Sequence, residues 1–142
     1  MITREEALLL MGTNAPKPHQ RVISRLLTHL GYQYYIVGSI ALEPLPETML
    51  DESQTSATPD IILYDNILEE TPVIIEITHT NGVKNDIQKV RQLIDETEYG
   101  IKEGFVYNYK RNEWYKYHRD KGNITEQPSF CEAINLDFAT LL

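Results

Sequence analysis

Thr58-Pro59-Asp60-Ile61-Ile62-Leu63-Tyr64 and, further along the chain, Val73-Ile74-Ile75-Glu76-Ile77-Thr78 are the stretches that decide the fold. Their aliphatic and β-branched residues predict two strands, near residues 60–65 and 72–78. Glu76 interrupts an apolar run of the kind that is normally buried on both faces of a sheet. A carboxylate there costs roughly several kcal/mol unless it is paired, protonated or bound to a metal. Glu76 is therefore expected to have such a partner.

The two strands can pair as a hairpin whose turn centres on Leu68. Asp60 then lies opposite Glu76, with their Cβ atoms about 5 Å apart. Two like charges in this position are destabilising, and no Lys or Arg lies nearby in the sequence to neutralise them. A hard cation would resolve the conflict, because Mg²⁺ typically binds one or two carboxylates plus waters. A slip of one residue would instead separate the two groups. In the alternative interpretation, Asp60 after a proline caps a turn or starts a strand, and Glu76 is an exposed edge residue.

The first half of the chain predicts two helices and a region of extended backbone. A capping box predicts a short helix over residues 3–12, and an apolar stripe predicts a second helix over 18–30. Aromatic and β-branched residues predict one bent strand or two short strands over 32–42. Prolines and polar residues predict a long loop over 44–58, which is usually functional or mobile in a domain of this size.

The second half predicts a helix between strands. Apolar residues at helical spacing predict a helix over 83–97, and two β-rich segments predict a hairpin of strands 103–109 and 113–118. A short strand near 130–134 and a turn capped by Asp137 complete the chain. The order of helices and strands predicts a mixed α/β fold.

Length and composition favour one ordinary globular domain. A chain of 142 residues can bury a single core, so we expect one domain over residues 1–142. Cys131 is the only cysteine, which excludes an internal disulfide. The charged N-terminus does not resemble a signal peptide, and no apolar run approaches the ~20 residues that span a bilayer. The expected location is the cytoplasm, without membrane attachment.

The charge is distributed unevenly along the chain. The net charge is −8, yet the segment 102–121 carries six basic residues and three acids. No Lys or Arg occurs between Arg25 and Lys84. One basic face could bind a polyanion, and the aromatic residues among these cations suit base stacking. Solvated faces and an ordinary hairpin explain the same pattern. The basic residues are Lys102, Lys110, Arg111, Lys116, Arg119 and Lys121, and the aromatic residues are Tyr107, Tyr109, Trp114, Tyr115 and Tyr117.

The acidic pair resembles a known family. Pro59-Asp60 followed by Glu76-Ile77-Thr78 resembles the PD-(D/E)xK restriction-endonuclease-like superfamily, and most closely its Uma-two branch of endonucleases. Further motifs in the same order extend the resemblance over most of the chain. They are His19-Gln20-Arg21, Glu43-Pro44, Asp86 and Gly100-Ile101-Lys102-Glu103-Gly104-Phe105-Val106.

The resemblance implies an αβββαβ core with a mixed central sheet flanked by helices. It implies that Asp60 and Glu76 bind Mg²⁺ or Mn²⁺, with Glu43 as a further metal ligand, and that the domain hydrolyses phosphodiester bonds of nucleic acid. The metal would activate water and stabilise developing charge. DNA is the more expected partner than RNA, and a homodimer is possible.

The lysine of the family motif is replaced by Thr78, which leaves the catalytic cation open. The Uma-two branch has a lysine on the following helix, where Lys89 lies one position away. A helical wheel based on the stripe Val83, Ile87, Val90 and Ile94 turns Lys89 away from the sheet and favours Lys84. Thr78, Lys89 and Lys84 are therefore all candidates for the catalytic set.

Three functions follow from the sequence. The first is a metal-dependent endonuclease with Glu-x-Thr in place of Glu-x-Lys. The second is a catalytically inactive nuclease-fold domain that binds nucleic acid or regulates another protein. The third is an acidic interaction module with a structural cation.

Overall fold

A helix opens the part of the chain that the structure, a computed structural model, describes, namely residues 16–48, 50 and 58–142. This helix, α1, spans Lys17–Gly31 and starts directly after Pro16. It buries Ile23, Leu26 and Leu30, which confirms the helix predicted from the apolar stripe. The helix predicted over residues 3–12 lies outside the described residues.

The segment after α1 is helical, and the strand predicted over residues 32–42 is wrong. Tyr32–Val37 forms a π-helical segment that continues α1. Its aromatic and β-branched side chains lie largely at the surface, so the packing that favours such residues in strands is missing. The segment ends at Gly38, whose φ of 73° lies in the left-handed region that glycine adopts without strain.

A short strand lies in the region that the prolines predicted to be a loop. β1 spans Glu43–Pro46 and pairs antiparallel with the next strand, Pro44 opposite Leu63 and Pro46 opposite Ile61. β1 lies at one end of the six-stranded sheet, where proline is tolerated because one side of the strand needs no hydrogen bonds. The loop prediction over 44–58 is therefore wrong for its first three residues.

The central hairpin has the predicted strands and register. β2 spans Ile61–Asp65 and β3 spans Glu70–Thr78. Ile61 lies opposite Ile75, and the register shifts only between Leu63 and Asp65. Ile75 and the neighbouring aliphatic residues of β3 are buried, as expected for a central strand.

A helix crosses from β3 to a parallel strand. α2 spans Val83–Asp95 and leads to β4, Glu103–Asn108, which is parallel to β3. β5, Glu113–His118, and β6, Gly122–Ile124, follow as antiparallel strands. The sheet runs in the order β1-β2-β3-β4-β5-β6. The predicted mixed α/β fold with an αβββαβ core is confirmed.

The two helices cover opposite faces of this sheet. Residues of α1 pack with Ile75 and Phe105 in one core, and residues of α2 pack with Ile74 and Val106 in the other. This alternation along β3 places Glu76 and Thr78 on the α2 side with Ile74. None of the helices within the described residues is both long and apolar enough to traverse a bilayer.

A buried ion pair attaches the end of the chain to the sheet. Lys116 Nζ lies 2.7 Å from Glu103 Oε2, with both side chains 3% exposed. Lys116 also donates a hydrogen bond to the Phe130 carbonyl at 2.8 Å. Phe130–Cys131 forms β7, which pairs with β8, Leu136–Asp137. A 3-10 turn over Phe138–Leu141 follows, capped by the Asp137 carboxylate as predicted.

Candidate active site

Asp60 and Glu76 lie side by side where β2 begins. The ladder begins with Ile61 opposite Ile75, so Asp60 precedes β2 by one residue at the position next to Glu76, in the register that the sequence predicted. The Ile77 N–H donates to Asp60 Oδ2 at 2.8 Å, which fixes the Asp60 carboxylate against β3. Glu76 is almost completely buried, and Asp60 is partly exposed.

Close packing of α2 brings two further charged groups to the pair. A Cβ atom at Gly82 would lie 2.3 Å from Thr78 Oγ1, so a side chain there would collide with the end of β3. A Cβ atom at Gly104 would lie 2.2 Å from Val90 Cγ1. The absence of both side chains lets α2 approach the sheet closely, with Asp86 and Lys89 on the turns nearest Glu76.

Lys89 forms the central ion pair of the site. Its Nζ lies 2.9 Å from Glu76 Oε1 and donates to the Thr58 carbonyl at 3.2 Å. The Lys89 side chain is 29% exposed and the Glu76 side chain only 4% exposed. One end of this pair is therefore accessible to solvent, whereas the other is enclosed.

The helical wheel that turned Lys89 away from the sheet was wrong. The residues that α2 fully buries are Val90, Leu93 and Ile94, whereas Ile87 is only half-buried. Successive residues are about 100° apart around the helix axis. The face centred on Val90, Leu93 and Ile94 therefore lies about 40° closer to Lys89 than the face of the predicted stripe. Lys89 then flanks the buried face, and its long side chain reaches Glu76.

His19 of α1 contacts the other carboxylate. Its Nε2 lies 3.3 Å from Asp60 Oδ2, with the His19 side chain 13% exposed. Burial alone would lower the pKa of His19, but the hydrogen bond and charge of Asp60 outweigh it and raise that pKa. No Lys or Arg lies near the acidic pair in the sequence, yet the fold brings Lys89 and His19 into contact with it. Lys89 is on α2, across a turn from β3, and His19 is on α1, which is distant in sequence.

The three acids of the site repel one another. Burial and the charge of Asp60 raise the pKa of Glu76 to about 8, against the opposing effect of Lys89. Burial also raises the pKa of Asp86, although a hydrogen bond from Thr78 and the charge of Lys89 act in the other direction. Asp86 was noticed in the sequence only through the family resemblance. Its half-buried position on α2 places it in this electrostatic cluster.

Thr78 takes the motif's lysine position without supplying a charge. Its side chain is buried, and its hydroxyl lies 3.2 Å from the His79 carbonyl. Together with the hydrogen bond to Asp86, this contact makes Thr78 a support for the turn between β3 and α2. The lysine that contacts Glu76 is instead Lys89 of α2.

Glu43 and Lys84 are not brought to the acidic pair. Glu43 lies opposite Tyr64, four residues along β2 from Asp60 and thus roughly 13 Å away. Its carboxylate accepts hydrogen bonds from Tyr35 at 2.5 Å and Asn66 at 3.1 Å. Lys84 is exposed and lines a cavity of about 730 Å³ between α2 and the β4–β5 hairpin.

The aromatic residues of the β4–β5 hairpin mostly pack into the two cores. Tyr107 and Trp114 lie 4.6 Å apart between ring centroids on the α1 side, and Tyr115 and Tyr117 pack on the α2 side. This arrangement favours an ordinary hairpin over a continuous base-stacking surface. Tyr109 directly follows β4 and is partly buried against the same α1-side core, with its ring centroid 6.4 Å from that of His19.

The residues present fit a hard cation held by two carboxylates. Glu76 Oε1 is buried, and its partner among the described residues is the Lys89 ammonium group at 2.9 Å. Asp60 and Glu76 offer the oxygen ligands that Mg²⁺ and Mn²⁺ prefer. Within residues 16–48, 50 and 58–142, no group of three or more His, Cys, Asp or Glu side chains is arranged to hold a metal ion. Any metal here would rely on water for its remaining ligands.

Comparison with known proteins supports the fold. No family model matches the chain, and no curated protein matches it. Among solved structures, it is similar to a crystal structure from Anabaena variabilis ATCC 29413 described as a "putative nuclease belonging to DUF820". The TM-score is 0.59 at 12% sequence identity, over 89% of this chain and 81% of that chain. The chain therefore has a nuclease-like α/β fold.

Proposed function

We propose that this protein is a metal-dependent nuclease that hydrolyses phosphodiester bonds in nucleic acid. The observation that carries the proposal is the ion pair between Lys89 and Glu76, 2.9 Å apart beside Asp60. Two carboxylates and a lysine in one cluster are the groups that the PD-(D/E)xK resemblance implies. The nuclease-like fold of the structural neighbour supports the same class of reaction.

Each charged group has a distinct part in the proposed reaction. Asp60 and Glu76 would hold Mg²⁺ or Mn²⁺, which supplies Lewis-acid stabilisation and lowers the pKa of a bound water. Lys89 would donate to a phosphate oxygen and stabilise the negative charge that develops there. Its side chain is 29% exposed, which suits this role, whereas Lys84 lines the cavity between α2 and the β4–β5 hairpin. Thr78 and Asp86 would position the turn and the helix that carry Lys89.

The surroundings of the site suit a polyanionic substrate. Because β3 and β4 are parallel, with Thr78 opposite Asn108, their C-terminal ends lie together. The β4–β5 turn is therefore at the same end of the sheet as Glu76. That turn contributes Lys110, whose Nζ lies 5.8 Å from the centroid of the Tyr109 ring. A cation can bind phosphate, and an adjacent aromatic ring can stack on a base. We propose nucleic acid, DNA before RNA, as the substrate.

Metal binding and cleavage can be tested separately. Calorimetry with Mn²⁺ should show binding by the wild type and a loss of at least tenfold in affinity in Asp60→Ala. Glu43→Gln is the matched control, because Glu43 is a carboxylate on the neighbouring strand roughly 13 Å away. A gel assay on single-stranded, duplex and structured DNA and RNA then measures Mn²⁺-dependent cleavage. Absence of Mn²⁺ binding by the wild type would refute the metal-dependent proposal.

A second function is an inactive nuclease-fold domain that binds nucleic acid. It is favoured by Thr78 at the position of the motif's lysine, and by the contacts of Lys89 with Glu76 and the Thr58 carbonyl. These contacts would hold Lys89 away from a substrate. Gel-shift binding of nucleic acid without cleavage of any substrate would support this function over the first.

A further inference from the structure

We propose that His19 is a positioning residue that fixes Asp60 for metal binding, an inference that rests on the proposed function. Its Nε2 lies 3.3 Å from Asp60 Oδ2, the oxygen that also accepts the Ile77 N–H at 2.8 Å. Two donors on one carboxylate oxygen prevent rotation of the group. They leave Oδ1 as the ligand atom for a cation.

The burial of His19 is difficult to explain by packing alone. His19 precedes Ile23, Leu26 and Leu30 at helical spacing and so extends the buried stripe of α1 by one turn. An aliphatic side chain would suit that stripe better. The His19 Nδ1 atom is buried and has no hydrogen-bond partner within the described residues. An unpaired buried polar atom destabilises the fold, and a residue kept only for packing would avoid that cost.

The geometry also defines which property of His19 matters. The contact with Asp60 needs a donor at the Nε2 position, which the neutral ring provides when its proton is on Nε2. A glutamine amide nitrogen reaches about as far from the backbone as Nε2, whereas the asparagine amide falls short. The His19 ring also packs nearly perpendicular to the Tyr109 ring, at 84° and with centroids 6.4 Å apart.

Four variants of the full chain separate positioning from packing. His19→Leu removes the donor and keeps an apolar side chain, His19→Gln keeps a donor at similar reach, and His19→Asn keeps a shorter one. His29→Leu is the matched control, because His29 is an exposed histidine in the last turn of the same helix. Calorimetry measures the affinity for Mn²⁺, and thermal unfolding by circular dichroism measures stability in the absence of metal.

Positioning predicts that affinity and stability respond differently. His19→Leu and His19→Asn should weaken Mn²⁺ binding by about 10- to 100-fold, as is typical for partners of metal ligands. His19→Gln should stay within about threefold of the wild type, and His29→Leu should be unchanged. The Tm of His19→Leu should equal or exceed that of the wild type, because the unpaired Nδ1 atom is removed.

The outcomes distinguish this inference from the proposed function. Wild-type affinity in His19→Leu and His19→Asn would overturn the positioning role and leave the metal site intact. Equal weakening in His19→Gln and His19→Asn would show that donor reach is irrelevant, which also overturns it. If the wild type binds no Mn²⁺, the metal site and this inference are both wrong. Should His19→Leu fail to fold, the comparison of Mn²⁺ affinity between His19→Gln and His19→Asn still tests the positioning role.

Discussion

Lys89 and Glu76 form an ion pair of unequal exposure, with 2.9 Å between Nζ and Oε1 and side chains 29% and 4% exposed. Glu76 is held within β3, two residues before that strand ends at Thr78. Lys89 reaches it from the flank of α2 through a flexible side chain that is open to solvent at one end. The pair therefore contains one enclosed carboxyl group and one ammonium group that can turn toward a ligand.

The first prediction concerns this mobile charge. Lys89→Met should reduce Mn²⁺-dependent cleavage by roughly 10²- to 10³-fold, the typical cost of removing one donor to a transition state. Mn²⁺ affinity should persist, because the two carboxylates remain. Lys84→Met is the matched control and should stay within about threefold in the gel assay. A larger loss in Lys84→Met than in Lys89→Met would reverse the assignment of the two lysines.

The second prediction concerns the dependence of stability on pH. The pKa of Glu76 is raised from 4.5 to about 8 in the folded protein, so the folded state binds more protons than the unfolded state between these values. The contribution of Glu76 to stability should therefore fall as pH rises from 4.5 to 8, by on the order of a few kcal/mol. Chemical denaturation without metal should show this slope.

Glu76→Gln provides the control for this slope. The glutamine side chain does not titrate, so the variant should lose most of the decline and be more stable than the wild type near pH 8. Addition of Mn²⁺ should stabilise the wild type most at the same pH. An unchanged slope in Glu76→Gln would assign the decline to other groups.

The third prediction concerns the contact between α2 and β4. Gly104→Ala should cost about 1–3 kcal/mol of unfolding free energy, because the new methyl group collides with Val90 Cγ1. In the Gly104→Ala background, Val90→Ala should cost less unfolding free energy than in the wild type, since the smaller side chain makes room for the new methyl group. Additive costs in the double variant, measured by chemical denaturation, would contradict this account.

The fourth prediction concerns the buried pair of Lys116 and Glu103. Lys116→Met should destabilise the fold by roughly 3–5 kcal/mol, because it leaves the buried Glu103 carboxylate without its cation. The matched control is Arg111→Met, which breaks a pair of 3.2 Å with side chains 63% and 43% exposed. That change should stay within about 1 kcal/mol. Similar losses in both variants would indicate that burial does not decide the cost.

The fifth prediction concerns the reactivity of Cys131. Burial and the charge of Glu103 raise the pKa of the Cys131 thiol to about 12, and its side chain is inaccessible. Alkylation by iodoacetamide at pH 8 should be negligible in the folded protein and rapid in denaturant. Lys116→Met should increase the labelling rate by loosening β7. Rapid labelling of the folded wild type would contradict the burial of this segment.

Patterns within single elements were readable from the sequence. The alternation along β2 and β3 and the symmetry about Leu68 predicted the register that places Asp60 beside Glu76. The apolar stripe of α1 and the hairpin of β4 and β5 were predicted for the same reason. Each pattern depends on which face of one element is buried, and the order of the residues records that directly.

Contacts between elements that are distant in the chain could not be predicted from the sequence. The approach of Lys89 depends on how far α2 rotates and how closely Gly104 lets it pack, and neither is visible on a helical wheel. His19 could have been suspected, because it is a polar residue one turn before Ile23 on the buried stripe. Tyr32–Val37 has strand-like composition but remains helical, since the chain continues α1 without forming a buried sheet face.

The prolines of β1 determine how the sheet can associate. Pro44 and Pro46 lie opposite Leu63 and Ile61, and without an N–H neither can donate to β2. Their nitrogen atoms therefore point away from the sheet, so the free side of β1 offers carbonyl groups but no donors. An added strand needs both donors and acceptors, which makes this edge resistant to edge-to-edge aggregation. A dimer, if it forms, would have to use side-chain surfaces rather than a continuous intermolecular sheet through β1.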